Sequence, residues 1–136
     1  MRMFLGEYTP NLTEGSRLAL PKKLRDQISG DYVILARGFE HCIFGYDKED
    51  WLKEAEKQVG LPISDSKVRI LKRYMFSGAS DVELDSQGRF VIPPSLKDYA
   101  QIEEVMVVIG AGDHFELWNS QNWREHLDFI EKSFVG

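Results

Sequence analysis

A segment of fifteen residues occurs twice in this chain, 72 positions apart, and that duplication constrains the fold more than any other feature. Residues 12–26 lie over residues 84–98. Five positions are identical: Leu12/Leu84, Arg17/Arg89, Pro21/Pro93, Leu24/Leu96 and Asp26/Asp98. Four more keep their chemistry: Leu18/Phe90, Ala19/Val91, Leu20/Ile92 and Arg25/Lys97. The likeness continues in Val33-Ile34-Leu35 over Val107-Val108-Ile109 and Glu40-His41 over Asp113-His114. After a slip of one residue, Asp47 to Trp51 lies over Asn119 to Trp123. A unit of this size is marginal as a lone fold. Two such units sharing one β core bury more apolar surface than either does alone.

Both units read alike. A strand comes first, at Met3–Tyr8 or Ala79–Leu84. Turn residues follow at 13–16 or 85–88, then a short apolar strand at 17–20 or 89–92. Pro21 or Pro93 opens a helical turn, as proline tolerates the first helical position. Two more strands are expected near 32–37 and 42–46, or 105–110 and 114–118. A helix closes each unit, with Asp47 or Asn119 as N-cap. Tyr46 and Trp51, or Trp118 and Trp123, stand at hydrophobic-staple spacing around that cap. Leu52, Ala55 and Val59, or Leu127, Ile130 and Phe134, continue the apolar stripe inward.

The predicted architecture is α+β: a single pseudo-twofold domain over 1–136, with repeat 1 at 3–60, a linking basic helix at 64–77 and repeat 2 at 78–134. In the linking helix Val68, Leu71 and Met75 share one face. Lys67, Arg69, Lys72 and Arg73 crowd the other, either simply solvated or touching a phosphate or a neighbouring subunit. The symmetry can bring the two equivalent turns, each with its arginine, to one surface.

The net charge of −5 argues at first against nucleic acid, but its distribution is uneven. Residues 1–30 carry five basic groups (Arg2, Arg17, Lys22, Lys23 and Arg25) against three acidic ones, while residues 99–136 carry two against seven. No apolar run approaches the roughly 20 residues of a membrane helix. The first residues lack a long apolar stretch and a small-residue cleavage site, so no signal peptide is expected. A single cysteine, Cys42, excludes an internal disulfide and a cysteine-only zinc cage, and a cytosolic setting is expected.

At Leu84-Asp85-Ser86-Gln87-Gly88-Arg89-Phe90-Val91-Ile92-Pro93 the chain resembles the MraZ family of bacterial transcriptional regulators, whose motif is Asp-x-x-x-Arg followed by an apolar triplet and proline. The resemblance runs nearly the whole length and includes Met3 to Tyr8, Arg37 to Cys42 and Gly112 to Trp118. The first copy departs from the motif, with Thr13 in place of the aspartate. The resemblance implies an AbrB-like, swapped-hairpin or double-psi-type β-barrel holding both repeats, and a ring-shaped homo-oligomer of several subunits. It also implies binding of double-stranded DNA at short tandem repeats in the promoter of the bacterial division and cell-wall gene cluster. Repression and a nucleoid-associated location follow from the same likeness.

The residues suit that reading. An arginine fork matches guanine O6 and N7 in the major groove, which makes Arg17 and Arg89 the candidate base readers. Asp85 is placed either to hold the Arg89 guanidinium ready across a tight turn or merely to pin the hairpin, and Thr13 to cap the other turn. Gly88 permits the positive φ such a turn needs. Lys22, Lys23 and Arg25 follow the first turn and are expected to grip phosphate without reading sequence. In the second unit Pro94 and Ser95 replace the two lysines, so the grip is lopsided.

Two other classes compete. An enzyme would draw on His41, Cys42, His114 or His126, but adjacent residues of a strand face opposite ways, which leaves His41-Cys42 a poor dyad. With no His-x-x-x-His spacing and no glycine-rich phosphate loop, no metal or cofactor is expected. An antitoxin-like or scaffold protein without a DNA role is the other. Its acidic C-terminal helix, with Glu125, Asp128 and Glu131, would suit a basic protein partner.

Overall fold

Residues 1–135 are described by a computed structural model. Glycine- and Asx-bearing turns cut the apolar runs into short strands. The first half runs β1 (Glu7–Tyr8), β2 (Arg17–Ala19), α1 (Lys22–Arg25), β3 (Tyr32–Arg37), β4 (Ile43–Asp47) and α2 (Lys48–Val59). Helix α3 (Ser66–Ser77) leads to β5 (Ser80–Glu83), β6 (Arg89–Val91), α4 (Pro94–Ala100), β7 (Met106–Gly110), β8 (Phe115–Asn119) and α5 (Ser120–Val135). The predicted strand Met3–Tyr8 is broken at Gly6, whose φ is 100°: Glu7–Tyr8 form β1 and Phe4 keeps a separate antiparallel bridge to Gly112.

All pairing is antiparallel. Six strands form one sheet in the order β1-β7-β8-β4-β3-β5, and β2 and β6 form a separate ribbon. The sheet order reads the same from either end once equivalents are exchanged, since β1, β7 and β8 match β5, β3 and β4. Phe44 pairs with Glu116 in the sheet and Leu18 with Phe90 in the ribbon. Each of these pairs joins residues 72 apart, so the pseudo-twofold axis runs through both.

Two expectations about the sheet need correction. The sheet does not close into the expected barrel by hydrogen bonding: β1 and β5 remain its edges, and the ribbon pairs only with itself. In β3 and β7 the equivalence is Val33 with Met106, not with Val107. Val33 pairs with Asp47 and Met106 with Asn119. The loop at 38–42 is one residue longer than its counterpart at 111–114, which moves the offset. Burial enforces that register: Val33, Leu35, Met106 and Val108 are all fully buried, and a slip of one residue would turn every side chain to the other face.

The sheet is buried on both faces, so β3 and β7 are continuous apolar runs without alternation. One face carries Val33, Leu35, Met106 and Val108 against the ribbon and α1 and α4, through Leu18, Phe90, Leu24 and Leu96. This cluster draws on both repeats. The other face is split. Ile34 and Ala36 meet Trp51 of α2, whereas Val107 meets Trp123 of α5. The closing helices start as the sequence predicts. The Asp47 side chain accepts from Glu49 N at 3.1 Å and Asn119 Oδ1 from Asn122 N at 3.0 Å. The staple rings touch, with centroids 5.5 Å apart for Tyr46–Trp51 and 5.3 Å for Trp118–Trp123.

The stripe beyond the staples does not stay inside. Leu52, Val59 and Phe134 are 51%, 64% and 87% exposed. Both helices outrun the patch of sheet they cover, and only Ala55 and Leu127 continue the packing.

Candidate nucleic-acid interface

Strand alternation decides what the β2–β6 ribbon shows to solvent. Leu18 and Phe90 point into the core, at 0% and 2% exposure. Their neighbours therefore point outward together. Arg17 pairs with Val91 and Ala19 with Arg89, so the two arginines occupy diagonal positions on one face, with Cα atoms ~7–8 Å apart. They line a common groove of about 460 Å³ with Thr13, Glu14, Glu83 and Asp85.

Each arginine closes a tight turn whose first residue pairs back onto it. Thr13 N donates to Arg17 O at 2.9 Å and Asp85 N to Arg89 O at 2.8 Å. The turns differ in what the first side chain does. Asp85 Oδ1 accepts from Gln87 N and Arg89 N, both at 2.9 Å, and Oδ2 takes Arg89 Nε at 2.9 Å. The bond from Arg89 N above all, then those from Gln87 N and the guanidinium, holds the Asp85 carboxyl below the usual carboxylate range. Thr13 instead gives its hydroxyl to Arg17 O at 3.3 Å, and Arg17 Nη1 reaches only Glu14 O at 3.3 Å. Arg17 is the more exposed of the two. Gly88 takes a φ of 74°, the conformation that its turn requires.

The basic residues of α1 divide. Lys22 pairs with Asp26 at 2.8 Å on the surface, and Lys23 is exposed. Arg25 leaves its own repeat and donates from Nη1 to Gln87 O at 3.1 Å. Lys97 mirrors it, donating from Nζ to Ser16 Oγ at 2.7 Å. Sequence reasoning gave Lys97 no role at the site, although the Arg25/Lys97 match within the repeat was the available signal. On α3, Arg69 bonds to the carbonyls of Ile63 and Ser64, and Lys72 to those of Val59 and Leu61. Arg69 thus ties the loop before α3, and Lys72 caps the C-terminal end of α2, the favourable end of a helix for a cation. Their polar heads are turned to the protein's own backbone.

Of the groups that an enzyme would use, Cys42 and His114 are built into the fold. Cys42 is buried, its Sγ lies 3.1 Å from Phe39 O, and burial chiefly, with the nearby Glu116, drives its thiol pKa far up. That disfavours the nucleophilic thiolate. His41 is exposed and its ring lies 5.1 Å from that of Tyr99. His114 sits between Asp113 Oδ1 and Glu116 Oε2, each 2.7 Å from a ring nitrogen. No helix among the described residues is long and apolar enough to cross a membrane.

A family model described as “MraZ protein, putative antitoxin-like” matches the chain twice in succession, at 3–74 and 75–135. The chain belongs to the MraZ family. The two matches fall on the two pseudo-symmetric halves. A protein of Halothermothrix orenii named transcriptional regulator MraZ is 39% identical over 132 residues, 97% of this chain and 92% of its own length. MraZ proteins of Oenococcus oeni and Limosilactobacillus fermentum, carrying the same name, are 40% and 36% identical over the same shares. With matches this long, both turns and both arginines of the ribbon lie within the part of the chain shared with MraZ relatives.

Proposed function

We propose that the chain is a transcriptional regulator that binds double-stranded DNA sequence-specifically through the outer face of the β2–β6 ribbon. The observation that carries this is the placement of Arg17 and Arg89 diagonally on one exposed face, over a core that fixes the strands beneath them. A two-stranded ribbon fits the major groove, and each arginine that reaches a guanine edge is worth about 1–3 kcal/mol of discrimination. Lys22 and Lys23, on the helix whose Arg25 reaches the second turn, supply phosphate contacts, and α4 has no such lysine pair. Glu14, Glu83 and Asp85 share the groove and repel phosphate placed without register. The names of the relatives support a regulator. The family likeness extends the reading to a ring of several copies acting as a repressor on tandem promoter repeats of division and cell-wall genes. Repetition of a small contact surface supplies effective concentration that one module lacks. A mobility shift of the full chain on its own upstream DNA tests this, at several salt concentrations and with competitor DNA present. A specific band must survive the competitor. Its loss at all salt concentrations overturns the proposal.

A second reading has one observation in its favour. Phe129, Phe134 and Val135 stand exposed on α5 among Glu125, Asp128 and Glu131, a surface that suits a basic, apolar protein partner. Under this reading the chain is antitoxin-like or a scaffold, and the mobility shift fails.

A further inference from the structure

We infer that Arg25 and Lys97 are crosswise positioning residues, each bracing the arginine-bearing turn of the opposite repeat. The consequence for DNA rests on the reading proposed above; the bracing itself does not. Both side chains start from a fixed base. Leu24 and Leu96, one residue before them, are buried in the central core. Arg25 then crosses to the second turn, where Nη1 meets Gln87 O at 3.1 Å. Its stem lies against Gly88 so closely that a Cβ at that glycine would stand 2.3 Å from Arg25 Cδ. Gly88 therefore serves two needs: a positive φ, and room for the arginine passing beneath. Lys97 crosses in the other direction, its Nζ 2.7 Å from the hydroxyl of Ser16, the residue that matches Gly88. Ser16 holds a φ of 58°, a conformation costly without glycine, which a tether helps to maintain.

The backbone repeats the exchange. Leu84 N donates to Asp31 O at 2.7 Å and Leu12 N to Glu104 O at 2.8 Å. Two matching recesses result, one walled by Arg25, Asp31, Asp85 and Gly88, the other by Lys97, Glu104, Thr13 and Ser16. Each turn is thus seated on the other repeat. The two braces differ in quality. Arg25 applies a planar guanidinium and a packed stem, whereas Lys97 holds a rotatable hydroxyl by one flexible ammonium. The second turn, also tied by Asp85, is the stiffer of the two.

Backbone 15N relaxation of the free full-length chain tests the bracing without DNA. In Arg25→Met, order parameters at Gln87 and Gly88 should fall from about 0.85 to below about 0.6, while Gly15 and Ser16 stay unchanged. Lys97→Met should do the reverse, by a smaller amount. Arg25→Lys, which keeps the charge and most of the stem, should fall between parent and Arg25→Met, and it carries the measurement if Arg25→Met does not fold. On DNA, Arg25→Met should lose affinity non-additively with Arg89→Ala and additively with Arg17→Ala. It should leave the slope of log K against log salt as in the parent. A slope lowered by about one, with the second turn still ordered, would make Arg25 a phosphate contact and overturn the inference. Loosening of the near turn instead of the far one, or of neither, overturns it as well. If the parent binds no DNA specifically, the proposed function falls, and the relaxation data still decide on the bracing.

Discussion

Arg89 is bound through Nε to Asp85 at 2.9 Å, while its pseudo-symmetric counterpart Arg17 faces Thr13, which bonds the backbone and leaves the guanidinium alone. The two readers therefore differ in freedom before they meet DNA. Fixing a long side chain in advance saves about 0.5–1.5 kcal/mol of ordering on binding. Thr13→Asp should install the missing pair and tighten specific binding by about two- to tenfold. Asp85→Asn should loosen it by a similar factor while Oδ1 still caps the turn. Competition binding at constant salt measures both. Equal affinity in all three proteins would show that the pair only pins the hairpin.

Removing a reader altogether is more severe. Arg17→Ala and Arg89→Ala each delete one proposed bidentate contact, worth about 1–3 kcal/mol per module and multiplied wherever several copies engage one DNA. In direct titration each should weaken specific binding by at least about fivefold, and neither should leave a specific band against competitor DNA. Neither side chain is part of the core, so circular dichroism and light-scattering mass should match the parent. Specific binding at parental strength in both variants would remove the ribbon from the site.

The lysines should behave differently. Lys23 is exposed, and Lys22 holds only a surface pair with Asp26, an interaction worth ~1 kcal/mol or less. Lys22→Ala or Lys23→Ala should weaken binding evenly across DNA sequences and lower the salt slope by about one. Titrations on cognate and scrambled DNA at four salt concentrations separate this from a change in base preference.

What the sequence made legible was the part the repeat controls. Turn, strand, proline and cap recur in both copies, so their agreement located the two strands of the ribbon, though not their pairing, and both N-caps and both staples. Other features escaped it, among them these three. The register of β3 against β7 slipped because both strands are apolar on both faces and carry no alternation to anchor them. The exposed Leu52, Val59 and Phe134 matched helical periodicity, which says nothing about where the underlying sheet ends. The reach of Arg25 and Lys97 into the opposite repeat is a tertiary contact; the match between them marked the residues but not their partners.

The buried Asp47, 1% exposed, is a strong test of the junction between sheet and helix. Its carboxylate accepts from Ser29 N at 2.7 Å, from the Ser29 hydroxyl and from Glu49 N, and it pairs with Arg2 at 2.5 Å. Burial alone would raise its pKa, but these bonds outweigh it and the net shift is downward. A lowered folded-state pKa means that this stabilisation is present above the ordinary value of 3.8 and is lost as pH falls below it. Asp47→Ala leaves Ser29 N and Glu49 N without their acceptor, while Arg2 keeps Glu49 and Asp50, and should cost about 1–3 kcal/mol in urea unfolding at neutral pH. A cost below about 1 kcal/mol would mean that water replaces the carboxylate.

His114 should impose the opposite pH dependence. Burial opposes its charged form, but the bonds to Glu116 and Asp113 outweigh that and raise its pKa. With a carboxylate oxygen 2.7 Å from each ring nitrogen, only the imidazolium can donate to both. A raised folded-state pKa contributes stability that is fully present below the unfolded value near 6.5 and fades as pH climbs through the folded one. The loss concerns the seam between the repeats, since Glu116 pairs with Phe44 on the pseudo-twofold axis and also accepts from Trp118 Nε1. Melting temperature should therefore decline as pH rises above about 6.5. His114→Gln, which has no charge to lose, should be less stable at pH 6 and show a flatter profile above it. Parallel profiles for the two proteins would mean that His114 is neutral throughout and that its neighbours take up the proton instead.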